Sequence, residues 1–481
     1  MNFAIVRYLI GWMLGIESIF LLLPALTAVI YGEPELPAYL IAAAISLAGA
    51  ALLCHRKPKN TRFYAREGYV TVALCWLILA VIGALPFVLS REIPFFIDAL
   101  FETVSGFTTT GATILGDVEA LSHASMLWRC LTHWVGGMGV LVFMLIVLPL
   151  AGGQTIFLMR AESPGPSVSK MSPHMRDTAT ILYAIYFGLT VLQMILLLIG
   201  GMPLFDAICV SLGTAGTGGF GNWNDSIAHY NSAYLQNVIT VFMILFGINF
   251  SAYFLILTRK FRQAFRIEEI RVYLGVIFVF AGLIAFNVRP MFGSLRESFH
   301  HALFQVASII TTTGFSTVDF DQWPTFSRAL LVLLMFIGAC AGSTGGGIKC
   351  SRILLLGKSV KKELMCLIHP RLVRVNKMDG QRVPHEVMRS INVFVVAYAF
   401  IFILSLLIIS LNCEDLVTCF TSVATTLNNV GPGLSLCGPT CNFGFFPPLS
   451  KGVLIFDMLA GRLELFPMLL LFTPGTWQRN K

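Results

Sequence analysis

Apolar positions along this chain come in long blocks rather than in the short alternations of a soluble fold. Blocks long enough to matter occupy about residues 3–30, 37–54, 69–90, 125–150, 177–200, 232–258, 272–289, 327–355, 390–411 and 449–472. A helix crosses a ~30 Å hydrocarbon core with roughly 20 apolar residues, so the pattern predicts ten crossings of a bilayer. The first block starts like a signal peptide, yet it has no small-residue cleavage site and outruns the usual apolar core of a leader. It reads as a retained helix.

Between the members of the last four pairs lies a shorter apolar segment, too brief to span, and these segments repeat one phrase. The first is PFFIDALFETVSGFTTTGAT, from Pro94 to Thr113. The second is PLFDAICVSLGTAGTGGF, from Pro203 to Phe220, and the third is SFHHALFQVASIITTTGFS, from Ser298 to Ser316. The fourth, EDLVTCFTSVATTLNNVGPG, from Glu414 to Gly433, diverges most. The order is therefore helix, half-helix, Gly/Thr loop, helix, four times over. The expected fold is an all-α polytopic membrane protein with four pore-loop repeats around a pseudo-four-fold pore, plus two N-terminal transmembrane helices. Its divisions are residues 1–66 for the N-terminal pair, then 67–175, 176–270, 271–388 and 389–481 for the repeats.

Composition agrees with the blocks. Of 481 residues, 56% are hydrophobic and only 12% charged, too little polar surface to cover a soluble domain. The formal charge of +8 could suggest a nucleic-acid binder. In a membrane protein, however, cytoplasmic loops retain Lys and Arg, so placement outweighs the sum. Basic residues cluster at Arg56, Lys57, Lys59, Arg62 and Arg66, at Arg160, Lys170 and Arg176, at Arg259 to Arg271, and from Lys349 through Arg374 to Arg389. The intervening loops carry Asp117, Glu119, Asp225, Asp319, Asp321, Glu414 and Asp415 instead. Basic loops are expected inside and acidic loops outside. Both termini, with Arg479 and Lys481 at the end, then lie in the cytoplasm, and the partner implied by composition is the lipid bilayer, not nucleic acid.

Irregular backbone at membrane depth is tolerated only where it is buried in protein or lines a water-filled cavity. Four such loops around one axis would place rings of carbonyl oxygens where they can replace the hydration shell of a monovalent cation. Glycine suits such a loop because it adopts dihedrals that a Cβ disfavours, and threonine can add a hydroxyl oxygen. The half-helices approach with their C-terminal ends, whose partial negative charge favours a cation. Most of the eleven cysteines sit in apolar segments, with Cys413, Cys437 and Cys441 in an expected outer loop where a disulfide is an option. No Cys/His spacing reads as a metal site, and no clustered acid, histidine and nucleophile supports an enzyme such as a lipid-linked transferase.

The phrases TTTGAT, TTTGFSTVDFDQWP, LNNVGPG, HWVGGMG, AGSTGGGIK and AGRLELFP resemble the bacterial TrkH branch of the Trk/Ktr/HKT superfamily of potassium transporters, over nearly the whole chain. The resemblance implies a selectivity filter, with potassium at backbone carbonyls, built from Thr109, Thr110 and Gly111, from Thr217 and Gly218, from Thr312, Thr313 and Gly314, and from Asn429, Val430 and Gly431. In the second repeat GTAGTGGF leaves Gly216 and Gly219 open as the aligned glycine. It implies an intramembrane gate at Gly342, Ser343, Thr344, Gly345, Gly346, Gly347 and Lys349, with Arg462 facing the pore. It further implies uptake of potassium, with rubidium as a surrogate, across the cytoplasmic (inner) membrane by a homodimer docked on a cytosolic TrkA-type nucleotide-binding regulatory subunit. No phosphate-binding glycine phrase occurs in this chain, so no cofactor is expected in it and nucleotide would sit on the partner. The competing reading is a proton- or sodium-coupled secondary transporter (symport), with Asp98, Glu102 and Asp206 as its candidate carboxylates. Other readings are plainer: Gly136, Gly137 and Gly139 as packing sites, His133, Asn249 and Asp98 as polar links between helices, and Arg462 in an ion pair with Asp457 or Glu464.

Overall fold

The computed structural model describes residues 1–58, 64–139, 175–371 and 375–478. The inner end of the 125–150 block and the basic residues Lys59, Arg62, Arg160, Lys170, Arg374, Arg479 and Lys481 lie outside the described residues.

Two long helices, Phe3–Tyr31 and Leu36–Cys54, open the chain as a hairpin. They approach closely where small residues allow it: a Cβ at Gly11 would fall 2.6 Å from Cys54 Sγ. Ser46 Oγ donates to Leu14 O (2.8 Å) across the pair. Each repeat then opens with a long apolar helix, Ala65–Ser90, Met175–Ile199, Glu268–Val288 and His385–Ser410. The half-helices follow as Phe96–Phe107, Leu204–Gly216, Leu295–Ile310 and Leu416–Leu427. Ser122, Ser232 and Ser294 accept a backbone N–H at the starts of three helices, the usual remedy for unpaired N-terminal donors. Large apolar side chains such as Leu52, Phe286, Val396 and Leu411 remain exposed, as expected where lipid is the solvent. The largest buried cluster joins the N-terminal pair to repeats 1 and 4, while a second belongs mainly to repeat 3.

The structure departs from the predicted spans in one systematic way. The second helices of repeats 2 and 4, expected to be continuous, are interrupted, as is that of repeat 3, where the resemblance implied a gate loop. In repeat 1, His123–Gly137 ends before Gly139 at φ +77°, and residues 140–174 lie outside the described ones. In repeat 2, Ala233–Phe246 and Phe250–Leu257 meet at 93°. In repeat 3, Thr325–Ile337 is separated from Cys350–Ile368 by an irregular loop over 338–349, and in repeat 4 Pro448–Arg462 is separated from Phe466–Leu471 by Leu465 at φ +66°. Among the described residues six helices are long and apolar enough to span, or up to seven with the bent pair taken as one.

The reason is packing against the ends of the half-helices. A Cβ at Gly136 would lie 1.8 Å from Phe107 O, and one at Gly461 would lie 2.1 Å from Leu427 O. Gly247 and Gly345 meet Thr311 of repeat 3, at 2.9 Å from its Cγ2 and its O. Each interruption therefore sits where a second helix passes the C-terminus of a half-helix, and Gly136 and Gly137 are close-packing sites as the sequence suggested.

Candidate functional site

After each half-helix the backbone follows one template. The N–H groups of Thr109, Thr217, Thr312 and Asn429 reach the carbonyl three residues back, at 3.1, 3.0, 3.1 and 3.2 Å. Those of Thr110, Gly218, Thr313 and Val430 reach five residues back, at 2.9, 2.9, 2.8 and 2.8 Å. The first residue of each set is left-handed, with φ of +56°, +54°, +59° and +56°. The residue two further on is Gly111, Gly219, Gly314 or Gly431, at φ +79°, +79°, +86° and +97°. A left-handed β-branched residue is strained by on the order of 1–3 kcal/mol, so three threonines held this way mark a conformation the surrounding structure enforces.

This settles the alignment of GTAGTGGF. The glycine equivalent to Gly111, Gly314 and Gly431 is Gly219, while Gly218 matches Thr110, Thr313 and Val430. The correction has a physical cause in His133, from the second helix of repeat 1. A Cβ at Gly218 would lie 2.2 Å from His133 Cγ, and one at Gly216 would lie 2.3 Å from His133 O. The imidazole fills the space that threonine side chains fill in repeats 1 and 3. Its Nδ1 lies 2.8 Å from Gly106 O and its Nε2 accepts from Phe220 N at 3.2 Å, so it links repeats 1 and 2.

The four loops close into a ring. A Cβ on Gly111 would meet Gly218 O at 2.0 Å, on Gly219 Thr313 O at 1.9 Å, on Gly314 Val430 O at 2.5 Å, and on Gly431 Thr110 O at 2.7 Å. Repeat 1 thus abuts repeat 2, repeat 2 abuts repeat 3, repeat 3 abuts repeat 4, and repeat 4 returns to repeat 1. One cavity above the ring is lined by all four of these glycines together with Thr113, Arg129, Asn224 and Asn442.

The threonine hydroxyls do not form the simple oxygen ring that the sequence suggested. Thr110 and Thr313 turn back to Thr108 (2.8 Å) and Thr311 (2.7 Å). Thr217 donates to Gly216 O at 2.6 Å. Asn429 Nδ2 donates to Thr110 Oγ1 and to Met458 O, both at 2.9 Å, tying repeat 4 to repeat 1. Thr109 and Thr312 instead accept from groups beneath the ring: Arg462 Nη1 at 3.3 Å and Gly346 N at 2.6 Å.

Those two donors define what lies under the ring. The 338–349 loop carries Gly346 against Asn428 O, 2.6 Å from an added Cβ, and Lys349 Nζ donates to Gly345 O within the loop. Arg462 donates to Thr344 O of that loop (2.8 Å), to Gly136 O (2.5 Å) and to Gly137 O (2.7 Å). The guanidinium is therefore bonded to carbonyls. Glu464 pairs with Arg352 at 2.6 Å and Asp457 accepts from Ser405 at 2.7 Å. Gly342, Ser343 and Gly347 stand in the same loop, with Gly342 O accepting from Phe250 N at 3.0 Å. Asn249 Oδ1 caps the helix beside it through Ser251 N at 2.8 Å.

The three carboxylates weighed for coupled transport, Asp98, Glu102 and Asp206, all have structural partners. Glu102 pairs with Arg129 at 2.8 Å, both essentially buried, and accepts from Thr113 Oγ1 and Ile114 N just beyond Gly111. Asp98 pairs with Lys451 at 2.6 Å. Asp206 accepts from Asn222, Trp223 and Tyr230. Asp415 caps the fourth half-helix, and hydrogen bonds from the hydroxyls of Thr418 and Ser435 hold its carboxyl at about 2, below its ordinary value. All eleven cysteines are free thiols, Cys413, Cys437 and Cys441 included. Among the described residues no group of three or more His, Cys, Asp or Glu is placed to hold a metal ion. Sequence reasoning missed the Glu102–Arg129 pair and the placement of Glu269, and it read His133 as an interhelical link, as found, without its part in setting the register of repeat 2. A charged residue inside an apolar block was the one available signal for Arg129.

Repeated half-helices converging on a closed ring of backbone, inside an apolar helical bundle, define a pore-loop membrane protein. The model of the TrkH family, described as a cation transport protein, matches residues 37–478. The chain is 38% identical to the Trk system potassium uptake protein TrkH of Escherichia coli (strain K12), covering 99% of this chain and 100% of that protein. It is 33% identical to the Trk system potassium uptake protein TrkG of the same organism, over 98% of each. A crystal structure of the potassium transporter TrkH from Vibrio parahaemolyticus superposes with a TM-score of 0.89 at 33% identity, over 99% of this chain and 100% of that one. The chain belongs to the TrkH family of cation transport proteins, which are membrane transporters and not enzymes.

Proposed function

We propose that this chain takes up potassium, and rubidium in its place, across the bacterial inner membrane through a carbonyl-lined filter. The observation that carries the reading is the closed ring, in which the glycine of each repeat abuts a backbone carbonyl of the next. Filter residues are Thr109 to Gly111, Thr217 to Gly219, Thr312 to Gly314 and Asn429 to Gly431. Potassium is the substrate, bound at their carbonyls; the chain needs no cofactor of its own. The Trk names of the relatives support potassium as the cargo.

The 342–349 loop acts as the gate, with Arg462 as its latch. Support comes from position: the loop and the guanidinium lie against the inner side of the ring and touch Thr312, Thr109 and Asn428. Basic loops orient both termini to the cytoplasm, where a homodimer docks on a TrkA-type nucleotide-binding subunit. Coupled transport through Asp98, Glu102 or Asp206 is the weaker reading, because each of these carboxylates is held by structural partners.

Ion uptake into proteoliposomes holding the purified chain, with and without its cytosolic partner and nucleotide, tests the reading. Potassium and rubidium should exceed sodium and lithium, and Gly314→Ser should erode the difference. Selectivity indifferent to that glycine would sink the filter assignment.

A further inference from the structure

Glu269, the second residue of the long helix that opens repeat 3, is only 3% exposed and lies beside the 338–349 loop. Its Oε1 accepts from two backbone N–H groups, Ala341 N at 2.7 Å and Ser351 N at 3.0 Å. These donors flank the loop, one at its entry and one just past its exit. The same two ends are drawn together by Cys350 N donating to Ala339 O at 3.0 Å.

We propose that Glu269 is a positioning residue, a clasp that holds the two ends of the gate loop together and so keeps its glycine run across the inner mouth of the filter. The proposal rests on the gate reading given above and adds how the gate is held and from where it is released. A backbone N–H bonded to a carboxylate is stronger than one bonded to a neutral acceptor, and three glycines provide no side-chain packing of their own. Several of the loop's other bonds reach elements of other repeats, Cys340 N to Gly247 O, Gly342 O to Phe250 N and Thr344 O to Arg462, while Gly346 N reaches Thr312 of its own repeat. Glu269 alone among these supplies one atom to both ends.

The clasp also has a handle. Ser351 opens the helix Cys350–Ile368, and Lys358 of that helix is bonded to Glu268, the neighbour of Glu269, at 2.6 Å. Asp379, in the short hairpin beyond that helix, accepts from Glu268 N at 2.7 Å. A force that shifts this helix along its axis acts first on the Ser351 N–H bond. The ring itself has no contact with Glu269 in this network, so release should change how often the path is open and leave ion preference alone.

The test compares rubidium uptake by proteoliposomes of the full chain alone for the parent, Glu269→Ala, Glu269→Gln and a variant lacking residues 344–346. Glu269→Ala and the shortened loop should raise partner-free uptake roughly tenfold, about 1.4 kcal/mol in the open–closed balance. Uptake in Glu269→Gln should rise less than in Glu269→Ala, because an amide oxygen still accepts both N–H bonds but as a weaker, neutral acceptor, and the potassium-to-sodium ratio should be unchanged in both substitutions. Uptake at the parent level in Glu269→Ala, with the shortened loop raised, would overturn the clasp and leave the gate standing. No rise in either would overturn the gate reading as well. Should Glu269→Ala not be recovered folded, Glu269→Asp decides through a Ser343→Cys reporter. Faster modification by an impermeant methanethiosulfonate from the inner side supports the clasp, and an unchanged rate overturns it.

Discussion

On its outer side the central region is nearly four-fold, and on its inner side it is not. Above, four loops share one hydrogen-bonding template, one pair of left-handed residues and one contact to the next repeat. Below, among the described residues, repeat 3 inserts a long glycine-rich loop, repeat 4 supplies an arginine, and repeat 1 supplies carbonyls that this arginine binds. Carbonyls around a central axis require equivalence from every repeat. The proposed gate requires only that one repeat be able to move, which leaves the other repeats free to diverge on this side.

The largest expected effect tests the symmetric half. Gly219→Ala places a Cβ 1.9 Å from Thr313 O at a φ of +79°, and potassium uptake should fall on the order of a hundredfold. Uptake near the parent would break the equivalence of the second repeat. Next comes the asymmetric half: Arg462→Ala removes bonds to the loop and to repeat 1, and partner-free rubidium uptake should rise roughly tenfold, or about 1.4 kcal/mol. A fall would show that the arginine holds the ring rather than the gate. A smaller, conditional effect concerns His133. Gly218→Ala should lower uptake, and adding His133→Ala should restore part of it, because an added Cβ meets the imidazole at 2.2 Å. Such non-additivity is expected only for residues in contact; purely additive losses would contradict the steric account.

The smallest effect lies at the outer edge. Asp415→Ala removes the N-cap of the fourth half-helix, where Asp415 accepts from Val417 N and Thr418 N, at a cost of about 1 kcal/mol in thermal unfolding. The carboxyl is held at about 2 in the folded chain, below its ordinary value of roughly 4. Its contribution is therefore full above that ordinary value and disappears as pH falls through about 2. The gap in melting temperature between parent and variant should close over that acidic window, and a gap that persists there would refute the cap.

Much of this was legible in the sequence, and what was not has definite causes. The helices Phe3–Tyr31, Leu36–Cys54 and Ala65–Ser90 follow the apolar blocks within a few residues, since length and composition alone specify a helix in lipid. The four phrases located the half-helices and their glycines. The interruptions in repeats 2 and 4 were hidden because each turns on one or two glycines within a largely apolar run. GTAGTGGF holds four glycines, so spacing could not choose among them, and the residue that decides, His133, lies in another repeat. The carbonyls that Arg462 binds and the N–H groups that Glu269 binds are backbone atoms, which leave no mark in residue type, so a search by residue type could not find them.

The central claim, that the four loops form one carbonyl pathway in the register Thr110, Gly218, Thr313 and Val430, is tested most directly by locating the ion. Anomalous diffraction from crystals of the full chain in rubidium or thallium would supply it. The account predicts peaks on the axis flanked by those four carbonyls, above the loop that carries Gly346. Peaks off the axis, beside Asp98, Glu102 or Asp206 with the ring empty, would contradict it.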